Sequence, residues 1–226
     1  MDEVSFYPLG DSALTVEFGN SISVDLNRIS VALADQMARE PFPGFIEAVP
    51  AYASTSVFYD LVEVRRSYPE FENAYSAVRN LTKRLLKTIS IPDESASRLI
   101  EIPIRFDIDA GPDLELVADR SRLSVEAVIE IFTDTKYRVF MLGFLPGFSY
   151  MGEVDDRIAT PRKDTPRTRV ARGSVGIAGK QTGIYSLESP GGWQIIGRTD
   201  IELFTPKAAE PCLLRPGDQV RFVPVK

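Results

Sequence analysis

The chain has 226 residues, a formal net charge of −6 and 44% hydrophobic residues, enough for one large or two small domains with full cores. That acidic balance excludes a broad basic surface for nucleic acid, and no apolar run approaches the ~20 residues that span a bilayer. Histidine is absent and cysteine occurs once, at Cys212, which excludes imidazole acid–base chemistry, His-assisted nucleophiles, His-ligated or thiolate-cluster metal sites and an internal disulfide. Any catalysis by this chain falls to carboxylates, Lys, Arg, Tyr, Ser/Thr or backbone dipoles. The opening MDEVSFYPLGD has neither a basic n-region nor an apolar h-region, so a cytoplasmic protein is expected.

The N-terminal part, residues 1–92, predicts a small α/β domain. Ala13 to Phe18 alternates as a strand and ends at Gly19. Leu26, Ile29, Leu33 and Met37 recur at helical spacing. Glu40-Pro41 and Pro43-Gly44 stop that helix. Phe45–Val49 and Ser56–Tyr59 read as short strands around Pro50. Ser67 and Glu70 have capping-box spacing with Pro69 in the first turn, ahead of an apolar stripe of Phe71, Ala74, Val78, Leu81 and Leu85. A strand near Leu99–Phe106 either completes a β-α-β-β-α-β ferredoxin-like unit or opens the next domain. Ile91–Ser97 is the predicted linker.

Residues 98–226 predict a β-rich domain, so the fold class is α+β. Pro112–Asp119 and Ser124–Phe132 read as two short helices, the second capped by Ser124. Tyr137–Phe144 is an apolar strand. Turns and short strands follow, among them Ser174–Ala178, Gln194–Ile196 and Asp218–Val223. This pattern predicts a mostly antiparallel barrel or sandwich with long Gly-rich loops.

Gly143 to Thr199 holds ten of the fifteen glycines, a density that serves sharp turns and close backbone approach rather than a linker. Thr160 to Lys180 carries Arg162, Lys163, Arg167, Arg169, Arg172 and Lys180 against one acid, Asp164. This basic island on an acidic chain either pairs with internal carboxylates or meets an anion. Gly143-Phe-Leu-Pro-Gly-Phe148 is either a tight turn with two core aromatics or a loop over a ligand. Gly173 to Thr182 does not fit the phosphate loop, because Gln181 follows Lys180 where Ser or Thr is needed; its amides still suit an anion nest. Trp193 and Cys212 read as core residues.

The segments GFLPGFSY (Gly143 to Tyr150), TPRKDTPRTRV (Thr160 to Val170), GSVGIAGKQTGIY (Gly173 to Tyr185) and SPGGWQIIGRT (Ser189 to Thr199) resemble the allophanate hydrolase subunit 1 family. Gly10–Ala13, Val49–Tyr52, Glu101–Pro103 and Gly111–Leu114 fit the same pattern. The resemblance implies a cyclophilin-like β-barrel for the C-terminal domain. It implies a role as the B-type subunit of an ATP-dependent 5-oxoprolinase. The implied partners are the A-type and C-type subunits, the latter of the allophanate hydrolase subunit 2 kind, with ATP and Mg2+ used by the complex rather than held by this chain. Other roles known in the family are inhibition of a sensor histidine kinase and a place in an allophanate hydrolase or urea carboxylase. Neither nucleic acid nor membrane is an implied partner. On this footing Arg167, Arg169 and Gln181 are the expected catalytic residues. Arg162, Lys180, Thr182, Tyr185, Ser189, Phe144 and Phe148 are the expected substrate or anion contacts, with no metal ligand. The pattern departs at Phe132, where the family usually carries histidine.

Overall fold

The computed structural model describes residues 4–91 and 97–225, divided between two compact units, Met1–Ala96 and Ser97–Lys226. The predicted linker Ile91–Ser97 falls mostly outside the described residues. No helix among the described residues is long and apolar enough to cross a membrane.

The first unit runs β1 (Ser5–Pro8), β2 (Ala13–Glu17), α1 (Val24–Arg39), β3 (Phe45–Pro50), β4 (Ser54–Tyr59), α2 (Leu61–Ser67) and α3 (Ala74–Leu86). Its sheet has the order β1-β2-β4-β3 and is antiparallel throughout. Burial in β4 alternates residue by residue, because only one face of the sheet is covered. That face sets Leu14, Val16, Val57 and Tyr59 in one core with Leu33 and Met37 of α1 and Ala77 and Val78 of α3. Polar stitches fix the register of α1: Asn27 donates to the Ala51 carbonyl at 2.9 Å, and Ser30 donates to that of Ser54 at 2.9 Å.

One open alternative is decided here and one expectation corrected. Of the two places open to it, the Leu99–Ile104 strand takes the second, opening the second unit, and the outer place beside β2 is taken by β1. Ser67 and Glu70 do not cap a helix. Ser67 ends α2, which is capped instead by Asp60 accepting from the Glu63 amide at 2.8 Å. The next helix starts at Ala74, behind a capping box of Asn73 and Ser76. Asn73, not Ser67, satisfies an orphan amide of that first turn.

The second unit contains β5 (Leu99–Ile104), α4 (Leu114–Ser121), α5 (Val125–Asp134), β6 (Lys136–Leu142), β7 (Ser149–Gly152), β8 (Arg167–Val170), β9 (Ser174–Ala178), β10 (Gln181–Ile184), β11 (Ser189–Gly191), β12 (Gln194–Arg198) and β13 (Gln219–Pro224). Seven strands form one mixed sheet in the order β12-β9-β10-β7-β6-β13-β5. The β5–β13 pairing is parallel, unlike the antiparallel pairings of the rest of this sheet.

The sheet nearly closes into a barrel. Arg105, just beyond β5, exchanges two backbone hydrogen bonds with Arg198 at the end of β12, at 2.8 and 2.9 Å. Gly197 permits this seam, since a Cβ there would lie 2.7 Å from Ile104 Cδ1 and 2.8 Å from the Arg105 carbonyl oxygen. With strands covered on both sides, β9 is buried along its whole length, and hydrophobic alternation is lost. β8 and β11 form a separate two-stranded ribbon. Cys212 is half-buried rather than a core residue.

Phe132 lies at the centre of the larger core. It is fully buried on α5, 4.9 Å from the Phe222 ring and 5.0 Å from that of Tyr137 by centroid, and its carbonyl accepts from the Tyr137 hydroxyl at 2.9 Å. The position is one of packing. Phe132→Ala should therefore cost about 3–5 kcal/mol of stability, measured by urea denaturation of the whole chain. A loss under about 1 kcal/mol would contradict this packing role.

Candidate functional site

The candidate site is built on a second, smaller core in the same unit. Phe148, Val170, Ala178, Tyr185, Trp193 and Ile195 form a cluster separate from the main barrel core. Phe148, immediately before β7, and Tyr150 within it lie two residues apart and so point to one side by strand period. Their rings meet edge to face at 4.9 Å, and Phe148 lies 5.3 Å from Tyr185 and 5.6 Å from Trp193. Offset and edge contacts of this kind satisfy the ring quadrupoles. Gly191 makes the packing possible: a Cβ at that position would collide with the Tyr185 hydroxyl.

Above this cluster opens a cleft of ≈ 230 Å³, whose lining includes Phe144, Tyr150, Arg162, Pro166, Tyr185 and Trp193. Phe144 stands at its mouth with a positive φ of 67° and 60% exposure. A bulky residue in the left-handed region is strained. Its ring is braced against Phe148 at 5.5 Å and Tyr185 at 6.4 Å. Burial pushes the Tyr185 phenol above its usual range, opposed by a hydrogen bond from the Trp193 backbone and by the charges of Arg162 and Arg167. Tyr185 therefore stays neutral at physiological pH.

The basic island is paired off almost entirely within the chain. Lys163 and Arg167 both donate to Asp113 Oδ1, at 3.1 and 2.7 Å. Arg169 meets Glu188 at 2.8 Å, Arg172 meets Glu202 at 3.3 Å, and Lys180 meets Asp156 at 2.7 Å. Arg162 differs. Among the described residues no carboxylate lies within 4.0 Å of its guanidinium, which sits 5.7 Å from the Trp193 ring centroid. A cation over an indole face is attracted by the ring quadrupole while keeping its in-plane donors free.

The expected site residues thus separate into two groups. Arg162, Phe144, Phe148 and Tyr185 line the cleft together. Arg167 and Arg169 meet different internal carboxylates, Asp113 and Glu188. Gln181 and Lys180 lie at the opposite end of β10 from Tyr185, roughly 13 Å along the strand. Thr182 is buried and donates to the Gly176 carbonyl at 3.0 Å. Ser189 is half-buried on β11, its hydroxyl donating to the Pro190 carbonyl at 3.1 Å.

Three residues of the site fall outside the sequence expectation: Tyr150, Trp193 and Asp113. The i, i+2 spacing from Phe148 is a usable signal for Tyr150. Trp193 is both core, at 5% exposure, and cleft wall.

Asp113 has the widest reach. It is 3% exposed, immediately before α4. Its Oδ2 accepts from the Ile195 amide at 2.7 Å, and its own amide donates to the Ile195 carbonyl at 2.9 Å. Burial alone would raise its pKa. Hydrogen bonds from Arg167, Ile195 and Lys163 outweigh that and hold the carboxyl below its usual range. Asp113 therefore fixes Lys163, next to Arg162, and Ile195, two residues beyond Trp193, so it positions both partners of the cation–π pair.

A depressed native pKa means that this stabilisation is complete above the unfolded value near 4 and is lost as pH falls through the native one. Asp113→Ala should cost about 2–4 kcal/mol at pH 7, below the loss for a fully buried pair because Lys163 and Arg167 are partly solvated. It should also flatten the acid limb of the stability–pH curve, as read by denaturant unfolding at pH 7 and pH 3. An unchanged acid limb would contradict this account.

The family described as carboxyltransferase domain, subdomain C and D, matches residues 4–214. The B-type subunit of 5-oxoprolinase from Bacillus subtilis (strain 168) is 46% identical over 216 residues, covering 95% of this chain and 90% of that one. The protein of the same name from Escherichia coli O157:H7 is 38% identical over 226 residues, covering 100% and 98%. Among solved structures, that of TTHA0988 superposes with a TM-score of 0.80 at 40% identity. It covers 95% of this chain, which spans only 40% of that longer polypeptide. A match across both units at these identities leaves one assignment: the chain belongs to the carboxyltransferase domain family, subdomain C and D.

Proposed function

We propose that this chain is the B-type subunit of a cytoplasmic, ATP-dependent 5-oxoprolinase, a heteromeric complex that opens 5-oxo-L-proline to L-glutamate. Relatives named as the B-type subunit of 5-oxoprolinase match the chain nearly end to end. Those relatives are subunits by name, and a longer polypeptide contains the equivalent of this chain; both facts support partners of the A and C types. In the same reading the N-terminal unit, to about residue 92, is ferredoxin-like with its outer strand supplied by β1. The C-terminal unit, from about residue 98, is a cyclophilin-like barrel.

A lactam is a resonance-stabilised amide. Transfer of the ATP γ-phosphoryl group to its oxygen activates the ring carbon. Water then adds, the C–N bond breaks with the nitrogen taking a proton, and a second water releases phosphate. This chemistry needs charge stabilisation and positioning rather than histidine or a thiolate. The observation that carries the assignment to a site is the cleft itself: aromatic walls with a single uncommitted cation, Arg162. Mg2+ and ATP belong to the complex.

The isolated chain should not turn over 5-oxoproline. Combined with its A-type and C-type partners it should release glutamate only when ATP is present, followed by amino-acid analysis. Steady turnover by the chain alone, or none by the complete complex, would defeat the reading.

A further inference from the structure

We infer that the Phe144–Trp193 cleft holds the ring of a small cyclic amide bearing a carboxylate, that Arg162 selects the carboxylate, and that the nucleotide binds elsewhere. The inference rests on the reading of the chain as part of a 5-oxoprolinase, and it assigns the substrate, rather than ATP, to this chain.

Charge decides first. Five of the six cations in the basic island are ion-paired: Lys163 and Arg167 share Asp113, and Arg169, Arg172 and Lys180 meet Glu188, Glu202 and Asp156. The cation of the island left without a carboxylate partner is the Arg162 guanidinium at the cleft. That matches a monoanion. A triphosphate carries several negative charges and calls for several cationic donors, whereas the cleft lining includes one cationic side chain, Arg162.

Size decides next. At ≈ 230 Å³ the cleft is smaller than the roughly 300–1,000 Å³ that drug-sized ligands occupy. A five-membered lactam with one carboxylate fits such a space.

The walls agree with both. Phe144, Tyr150, Tyr185 and Trp193 offer ring faces and edges to a flat amide. The guanidinium over Trp193 keeps its planar fork for bidentate carboxylate binding. Holding the carboxylate at Arg162 fixes which end of the ring is presented outward, so the lactam carbonyl is offered to the rest of the complex for phosphorylation.

The chain contains one tryptophan, Trp193, so its emission reports the cleft directly. The isolated full chain is titrated with 5-oxo-L-proline, with 2-pyrrolidinone, which has the ring without the carboxylate, and with ATP–Mg2+. The same ligands are then tested as substrate or competitor in the complex with the A-type and C-type partners.

The expected result is tighter binding of 5-oxo-L-proline than of 2-pyrrolidinone by about 10–100-fold. Arg162→Gln should abolish that difference by weakening 5-oxo-L-proline alone, with an unchanged melting temperature, and Arg162→Lys should restore part of it. In the complex Arg162→Gln should raise KM for 5-oxo-L-proline by a similar factor and leave the KM for ATP alone.

Equal affinity for the two ring ligands overturns the proposal, as does an equal weakening of both by Arg162→Gln. So does competition between ATP and 5-oxo-L-proline at the cleft, or a variant defective only in assembly with its partners, which would give Arg162 to a partner carboxylate. Absence of any response in the chain and any KM change in the complex overturns it as well. Turnover by the complex with an unaltered KM in Arg162→Gln defeats this inference and leaves the function standing. Selective binding by the chain without turnover by the complex does the reverse.

Discussion

Burying the Asp113 carboxylate costs free energy that only well-aligned donors repay. Three are supplied: the Ile195 amide, Arg167 and Lys163. They come from three separate stretches of chain, β12, β8 and the loop that leads to β8. One ionised group therefore ties the start of α4 to the barrel edge and to the ribbon that roofs the cleft. Without it, two guanidinium- and ammonium-bearing side chains would repel each other across a narrow gap. The backbone of the loop adds its own clasp, with the Lys163 amide donating to the Gly192 carbonyl at 2.7 Å. The cation over Trp193 is thus held from below by backbone and from the side by charge.

The division of the second unit into two apolar clusters matters for the same reason. The main core, with the rings of Phe132, Tyr137 and Phe222 packed together at its centre, gives the barrel its stability. The smaller aromatic cluster lies beneath the cleft and contributes shape. Glycine is what lets it form at strand level. At Gly183 a Cβ would stand 3.0 Å from Phe148 Cζ and 3.1 Å from Trp193 Cζ3. The rings thus pack directly onto β10 backbone, and any side chain there would lift them.

Much of the fold is legible in the sequence because its signals are local. α1 follows its i, i+3, i+4 stripe, and Ser124 caps α5 through its hydroxyl, accepting from the Ala127 amide at 3.2 Å. β1 is not legible: four residues ending in Pro8 carry no periodicity, and the strand exists only because β2 offers an edge. The Ser67 cap fails because two capping-like sequences lie six residues apart and tertiary packing chooses the second. In the candidate site, the motif glycines and aromatics point to the loops that line the cleft. The ion pairing of the arginines is not legible, since charge density in sequence says nothing about which internal carboxylate folds back to meet each one. Asp113 lies ~50 residues from Lys163, and no local pattern announces that pairing.

That pairing changes how the protein looks from a distance. A segment that carries six positive charges along the chain presents, once folded, mostly ion pairs, whose fields fall off within a Debye length of about 8–10 Å. Polyanions approaching from solution meet less long-range attraction there than the sequence suggests. The acids Glu188 and Glu202, both about half exposed, are then the residues that keep this face quiet. Their neutralisation would unmask Arg169 on β8 and Arg172 just beyond it, and turn a quiet flank into a cationic one.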